Sequence, residues 1–356
     1  TTNTTEEIRT DAGFGVPKFA VVDLYLRSTR ASLDTANSLV KVGLGHTRVF
    51  VAGIIWGSTS FAAARRTTIQ SYTDLGFSGI TQVSVNGMDS VVATVDLTLV
   101  TDGIDVTFSG SDVSSGAAEG YCVVRMYTGR GVLNAAVVNQ VSDTTASTGL
   151  TWQPNALLAM TADAASSNSR TLSFGACDYN LNQASYGVVS ADTLSAFATV
   201  SSNTKALHSI AYNTTFREEV SWAVTAFTST GWTNTVSSEV YASTQNILVL
   251  AIELADPTEF EVGIATDTNS LSSTVELSNL YSNLNWETVR GCVVNSISQI
   301  AGSAYLGVSL VSISAGVNTG LSWTGLSGGT DRYQLKEPTG GASVSILEDG
   351  SDVNTW

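Results

Sequence analysis

The sequence predicts an all-β protein of tandem antiparallel β-sandwich domains, jelly-roll-like in character, with an internal duplication and a β-rich C-terminal domain. The strongest observation is alternation with a period of two. From Val91 to Leu99 every odd-numbered residue is apolar and most even-numbered ones are polar, as in a strand with one buried face. Helical spacing of apolar residues is nearly absent. Clusters of Gly, Ser, Thr, Asn and Asp separate the apolar stretches, as turns do.

Chain length and net charge limit the number of domains and the kinds of partner that we expect. A chain of 356 residues is long enough for two or three domains, each with its own core. The 31 acidic and 16 basic residues give a net charge of −15, and the basic residues form no cluster. Because a nucleic-acid groove needs a positive stripe, we expect no nucleic-acid partner.

The chain shows no membrane or secretory signal. Its first residues, TTNTTEEIRTDAGFG, lack the basic and apolar regions of a signal peptide, and no apolar run approaches the roughly 18 residues of a membrane helix. Cys122, Cys177 and Cys292 are odd in number and far apart, so we expect reduced core thiols rather than a disulfide framework. These features predict folding in a cytoplasm and no membrane partner.

Taken in order, the chain divides into five predicted segments. They are an N-terminal arm (1–14), a first β-sandwich repeat (15–130), a linker (131–150), a second repeat (151–256) and a C-terminal domain (257–356). Pro17 and Pro154 open the two repeats and Pro257 closes the second, at strand ends where proline is tolerated. The arm is polar and contains glycine, so it is either a segment that orders on a neighbouring molecule or a frayed terminus.

The two repeats carry the same features in the same order. Predicted strands of the first repeat are Lys18–Leu26, Val49–Trp56, Val91–Leu99 and Tyr121–Tyr127, and the second repeat closes with Asn246–Leu254. Gly103 aligns with Gly231, and Val123 aligns with Val249. The separations differ slightly, as loop-length changes after a duplication would produce.

One strand of the second repeat is out of phase with its counterpart. When the two copies are aligned by matching Gly103 with Gly231, the positions of the first copy's apolar face correspond to Ala223, Thr225 and Phe227. A more apolar set begins one residue earlier, and it consists of Trp222, Val224 and Ala226. One extra residue before Gly231 would restore the phase, so the sequence predicts a β-bulge there.

The C-terminal domain is again rich in predicted strands, with the clearest at Tyr305–Ile313. Its SAYLGVSLVS stretch resembles QASYGVVS of the second repeat. A third, degraded copy of the repeat is therefore an open alternative for residues 257–356.

Residues that could carry catalysis are few. The two histidines, His46 and His208, accompany no nucleophile elbow, so structural roles are expected for both. Carboxylate pairs suited to glycoside hydrolysis are the best enzymatic option, namely Glu218 with Glu219 and Glu259 with Glu261. These pairs lie on predicted strand edges or turns, so we expect no enzyme activity, no catalytic residue and no cofactor.

Metal sites built from histidine and cysteine are excluded by count and spacing. Two acidic turns offer oxygen ligands beside a glycine: TDGID (Asp102, Asp105) and EDGSD (Glu348, Asp349, Asp352). Both lack the full set of regularly spaced oxygen ligands of a calcium-binding loop, so solvated turns are the favoured interpretation.

Several tryptophans could line a sugar-binding surface. Trp152, Trp222, Trp232, Trp286 and Trp323 lie in or beside predicted strands, where an aromatic ring usually belongs to the core. Trp232 and Trp323 are the two candidates for contact with a glycan.

The repeat resembles a known group of viral proteins. A GxxP start before an apolar strand (GVPKFAVV, and more loosely TWQPNALLA) is followed by a Gly-centred strand (VKVGLG, LSFGACD) and a closing YCVVRMY or ILVLAIEL strand. This pattern, over residues 13–256, resembles tandem jelly-roll proteins of tailed bacteriophage virions. The resemblance implies a surface structural protein of a head, tail or fibre, and it supplies no catalytic or metal motif.

The expected function is therefore that of a bacteriophage virion structural protein, assembled in the host cytoplasm. A capsid decoration or cement protein, or a minor head or tail component, would act by oligomerising and packing on capsid or tail proteins. One alternative is a receptor- or glycan-binding adhesion module, similar to a tail fibre or spike. The second is a tandem-barrel major capsid protein.

Overall fold

The computed structural model describes the chain in separate stretches. These are residues 4–28, 44–52, 59–64, 69–74, 81–84, 92–109, 118–128, 131–141, 149–166, 169–191, 196–213, 215–237, 246–263, 292–299, 305–314, 317–326, 333–341, 345–348 and 351–355. Strands make up almost all the regular structure of these stretches, which contain no α-helix and a single 3-10 turn at Pro257–Glu259. The predicted all-β class is confirmed. Nor do they include any helix long and apolar enough to cross a membrane.

Nine strands form the first unit. They are β1 (Thr4–Arg9), β2 (Phe19–Ser28), β3 (Leu44–Ala52), β4 (Thr59–Ala64), β5 (Ile69–Asp74), β6 (Thr81–Ser84), β7 (Val92–Val100), β8 (Gly103–Ser109) and β9 (Ala118–Tyr127). Nine more form the second unit. They are β10 (Val132–Val141), β11 (Ala156–Ser166), β12 (Ser169–Cys177), β13 (Gln183–Ala191), β14 (Ala196–Ser202), β15 (Leu207–Asn213), β16 (Thr215–Thr228), β17 (Gly231–Ser237) and β18 (Asn246–Leu254).

Six strands follow in the C-terminal part. They are β19 (Cys292–Gln299), β20 (Tyr305–Ser314), β21 (Val317–Leu326), β22 (Tyr333–Gly341), β23 (Ser345–Glu348) and β24 (Ser351–Thr355). The first four form one antiparallel sheet in chain order, and the last two form a hairpin. Whether this part is a third copy of the repeat stays a hypothesis.

The two units have the same strand order apart from one additional edge strand in each, β1 in the first unit and β10 in the second. The first has sheets β5-β4-β3-β2-β9 and β1-β8-β7-β6, and the second has β10-β18-β11-β12-β13-β14 and β15-β16-β17. In both, a four-strand meander leads to a three-strand meander in the other sheet, and the last strand returns beside the first. The shared order is compatible with the predicted duplication, which stays a prediction.

The connectivity is simpler than that of a jelly roll. A jelly roll consists of two Greek keys, whereas most neighbouring strands in these sheets are also neighbours in the chain. The described strands therefore form antiparallel meanders closed by one returning strand. This order puts the first strand of each four-strand meander beside the last strand of its unit, β2 beside β9 and β11 beside β18.

The strongest sequence patterns gave the most accurate strands. The strand predicted at Asn246–Leu254 coincides with β18, and the one at Tyr121–Tyr127 lies within β9. Only the first part of the stretch predicted at Val49–Trp56 is confirmed, because β3 ends at Ala52 and residues 53–58 lie outside the described residues.

Part of the predicted linker is a strand of the second unit. β10 pairs antiparallel with β18, and Val132, Ala136 and Val137 in it are buried. Ala136 and Val137 are consecutive and therefore point to opposite faces of the strand, so both faces of β10 are covered there. The segment after β9 thus becomes an edge strand of the next unit's larger sheet.

The predicted N-terminal arm also contains a strand of the same chain. β1 pairs antiparallel with β8, from Thr4 opposite Phe108 to Arg9 opposite Gly103. An ion pair at 2.6 Å joins Arg9 to Asp105 on the neighbouring strand. In the described residues, 4–9 are therefore neither a free arm nor a frayed terminus.

The two sheets of the second unit face each other around one core. Leu157 and Val249 come from the larger sheet, and Trp222, Val224 and Trp232 come from the smaller one. Burial of this apolar face is the main driving force for such a sandwich.

The sheets approach very closely at one glycine. A Cβ atom on Gly175 would overlap the Ala206 carbonyl oxygen and lie 2.8 Å from that of Ala184. The glycine at the centre of LSFGACD therefore lets the chain entering β15 pass directly over β12.

Candidate functional site

An open groove lies at one end of the second unit, where β12, β16 and β18 end and β11 and β13 begin. We call it the end groove. Its volume is about 550 Å³, and its lining includes Gln153, Tyr179, Leu181, Thr225, Phe227 and Glu253. This volume is within the range of small-molecule sites.

One wall of the end groove is the loop between β12 and β13, with the sequence DYNLN. Asp178 is fully buried, and its carboxylate accepts hydrogen bonds from the backbone N–H groups of Asn180 and Asn182 and from the Asn182 side chain, at 2.9–3.0 Å. The loop bends through Leu181, whose φ is +65°. A left-handed leucine is unusual and needs support from its surroundings. The Asp178 carboxylate provides it, so Tyr179 and Leu181 are held at the groove.

The opposite wall is a β-bulge in β16. The pairing with β17 shifts between Val224 and Ala226, so Thr225 is the extra residue. This confirms the predicted bulge. Trp222 and Val224 are buried before it, and Phe227 packs against the same core after it. The bulge therefore leaves Thr225 exposed at the groove.

The side chain of Gln183 fixes this bulge from the other sheet. Its amide nitrogen donates to the Val224 carbonyl at 3.0 Å, and its amide oxygen accepts from the Val224 N–H at 2.8 Å. Gln183 begins β13 in the larger sheet. One side chain thus satisfies both backbone groups of Val224 across the sandwich.

The floor of the groove joins the start of β11 to the end of β18. Asn155 donates to the Leu254 carbonyl and accepts from the Leu254 N–H, each at 2.9 Å. The neighbouring Glu253 accepts a hydrogen bond of 2.6 Å from the Asn134 side chain on β10. These contacts hold the Glu253 carboxylate in position at the rim.

The chemistry of the end groove is suited to binding. It combines two aromatic rings with hydroxyl, amide and carboxylate groups, and Glu253 is the one charged residue among those that line it. In the described part of the chain, no group of three or more His, Cys, Asp or Glu side chains is placed to hold a metal ion.

Trp232, a predicted glycan contact, lies in the core. Its side chain is 0% exposed, packs edge-on against Trp222 with ring centroids 6.3 Å apart, and donates its indole N–H to Gln140 at 3.0 Å. The glycan assignment was wrong for this residue, because a ring enclosed on all sides offers no face to a sugar. The expectation of a core role for Trp222 and Trp232 is confirmed.

Trp323, the second candidate, is on β21, where it pairs with Val308 on β20 and Leu335 on β22. Its side chain lies outside the described residues, so glycan contact there stays a prediction. The same holds for the side chain of His46, which is on β3.

His208 and the Glu218–Glu219 pair meet where β15 and β16 pair. Nε2 of His208 lies 3.0 Å from a carboxylate oxygen of Glu218. Glu219 is the extra residue of a second bulge, is fully buried and accepts a hydrogen bond of 3.2 Å from Ser209. The described contacts around His208 bring no hydroxyl or thiol nucleophile to its ring.

The other carboxylates lie apart from this pair. Glu261 is half-buried beside Val262, whose N–H donates to Asp178 at 3.4 Å, and the Glu259 side chain is outside the described residues.

In the TDGID turn, Asp102 accepts from the Gly15 N–H at 2.6 Å, and Asp105 pairs with Arg9. These two aspartates hold the N-terminal segment against the first unit. The EDGSD turn joins β23 to β24.

One cysteine behaves as expected for a core thiol. Cys177 is free and fully buried at the end of β12. Burial, together with the adjacent negative charge of Asp178, raises the pKa of its thiol strongly. The side chains of Cys122 and Cys292 lie outside the described residues.

The residues of the end groove carry only weak sequence signals. Asp and Asn in DYNLN indicate a turn, but the bidentate roles of Gln183 and Asn155 have no local signature. Comparison of the chain with protein-family models, with curated proteins and with solved structures finds no match.

Proposed function

We propose that this chain is a structural protein of a bacteriophage virion, a capsid decoration or cement protein or a minor head or tail component. It acts by oligomerising and by packing on capsid or tail proteins. The observation that carries the proposal is the same strand order in two consecutive antiparallel units, because β-sandwich sheets offer lateral surfaces for subunit packing.

A short connection between the units supports a structural role. Only residues 128–131 separate β9, the last strand of the first unit, from β10, the first strand of the second. β10 lies opposite β18 from Val132 to Val141 and buries Val132, Ala136 and Val137. A short connection between two paired strands limits how far the units can move apart, which suits a component of a particle surface.

Charge supports packing on a partner of opposite sign. The net charge of −15 favours association with basic surfaces at long range. We therefore expect binding to capsid or tail proteins to weaken as salt screens the attraction.

Two measurements on the full chain test the proposal. Light scattering after size exclusion gives the oligomeric state, and gold-labelled antibodies against the chain are imaged on purified virions of the encoding phage. We expect an oligomer and regular labelling of heads or tails. Unlabelled particles, checked against an antibody to a known virion protein as positive control, would remove the virion assignment.

A further inference from the structure

We propose that the end groove of the second unit binds a neutral saccharide. This site goes beyond a packing function and does not depend on whether the chain belongs to a virion. Neither tryptophan expected to contact a glycan lines it.

The lining matches the two kinds of surface on a sugar ring. Tyr179 and Phe227 supply aromatic rings, and Gln153, Thr225 and Glu253 supply donors and acceptors. A pyranose has faces of C–H groups that pack on aromatic rings, and edges of hydroxyls that hydrogen-bond to amides, hydroxyls and carboxylates. A mainly apolar ligand would displace water from these polar groups without offering hydrogen bonds in return, at a cost in affinity.

The walls are fixed before any ligand arrives. Asp178 holds the DYNLN loop through part-buried hydrogen bonds, and Gln183 holds the bulge at Thr225 through buried ones. A preorganised site loses less entropy on binding. Bulges are common beside functional sites, and left-handed residues such as Leu181 persist where the surroundings support them.

Charge selects a neutral ligand over an anionic one. Glu253 is the single charged residue in the lining, and its carboxylate is held at the rim by Asn134. The chain as a whole is strongly acidic. Acidic sugars and phosphates would therefore meet repulsion at the site.

The first unit differs at the corresponding place. There Lys18 occupies the position of Asn155, since Lys18 donates its backbone N–H to Tyr127 as Asn155 does to Ile252. In the second unit the Asn155 side chain forms two hydrogen bonds with Leu254 beside Glu253. The asparagine in the floor is thus particular to the second unit, as expected if one site has a function of its own.

Saturation-transfer NMR on the full chain tests the site. The probes are the methyl glycosides of glucose, galactose, mannose and N-acetylglucosamine, with N-acetylneuraminic acid as the anionic probe. We expect at least one neutral glycoside to bind with a millimolar Kd, and Tyr179→Ala to weaken it about tenfold. Tyr179→Phe keeps the ring and should stay within about twofold of wild type.

The control variant is Val16→Ala, which removes an exposed apolar side chain of the first unit and should leave binding unchanged. Circular dichroism and thermal melting establish that each variant is folded. The proposal is overturned if no neutral glycoside binds, if Tyr179→Ala binds as wild type does, or if the anionic probe binds more tightly. Virion labelling is an independent readout, so failure here and failure of the structural proposal are distinguishable.

Discussion

Gln183 and Val224 are joined by two hydrogen bonds that cross the second sandwich. The side-chain amide of Gln183 pairs with both the N–H and the carbonyl of Val224, at 2.8 and 3.0 Å. Val224 is the last paired residue of β16 before the bulge at Thr225. The pairing of β15 with β16 ends at Trp222, and beyond it this one side chain satisfies both backbone groups of Val224.

Removal of this amide should destabilise the fold. Gln183→Ala leaves a buried N–H and a buried carbonyl without partners, so we expect a loss of roughly 2–4 kcal/mol in the free energy of unfolding. Denaturation by urea measures it. Gln153→Ala, an exposed glutamine beside the same groove, should change stability by less than about 0.5 kcal/mol. Equal losses in the two variants would contradict a bonding role for Gln183.

A methyl group at Gly175 should force the sheets apart. In Gly175→Ala the new Cβ overlaps the Ala206 carbonyl oxygen, which belongs to backbone and cannot swing away. We expect a loss of about 3 kcal/mol. Gly149→Ala is the matched control, because its Cβ meets nothing within 4 Å while its φ is +72°, so a loss of about 1 kcal/mol is expected. Thermal melting of both variants shows which of them loses more stability. A larger loss in Gly149→Ala than in Gly175→Ala would contradict the close approach of the sheets.

The indole of Trp232 should matter to stability and not to sugar binding. Trp232→Phe removes the N–H that bonds to Gln140 and should cost about 1–3 kcal/mol. The variant should still bind the neutral glycoside as wild type does, because the ring lies in the core. Urea denaturation and saturation-transfer NMR together separate the two effects. A variant that is as stable as wild type but no longer binds the glycoside would instead indicate that Trp232 contacts the ligand.

Alkaline pH should weaken the fold through Cys177. Its thiol pKa is raised in the folded state from an ordinary value of 9.0, so above pH 9 the unfolded chain ionises this thiol first. The stabilising contribution is therefore complete below about pH 9 and declines as pH rises further. Relative to Cys177→Ala, wild type should lose up to about 1.4 kcal/mol per pH unit there. Guanidinium denaturation between pH 8 and pH 10.5 tests this. Parallel pH profiles of the two proteins would exclude the thiol as the cause.

Local patterns in the sequence predicted features that depend on neighbouring residues alone. The continuous apolar run from Ile247 to Ile252 located β18 to the residue, and the phase change from Val224 to Phe227 predicted the bulge at Thr225. Prediction failed where a residue's role depends on a distant partner. Trp232 had the size and chemistry of a sugar contact, whereas its packing against Trp222 and its bond to Gln140 on β10 place it in the core.

The sequence by itself determined the all-β class, the positions of its most apolar strands and the change of phase at Thr225, because the pattern of side chains along a strand is a local property. The tertiary structure decided which strands are neighbours. It placed β10 beside β18, brought Gln183 to Val224, and gathered Tyr179, Thr225 and Glu253 around one groove. These contacts join residues far apart in the chain, where each partner alone carries no mark of the other.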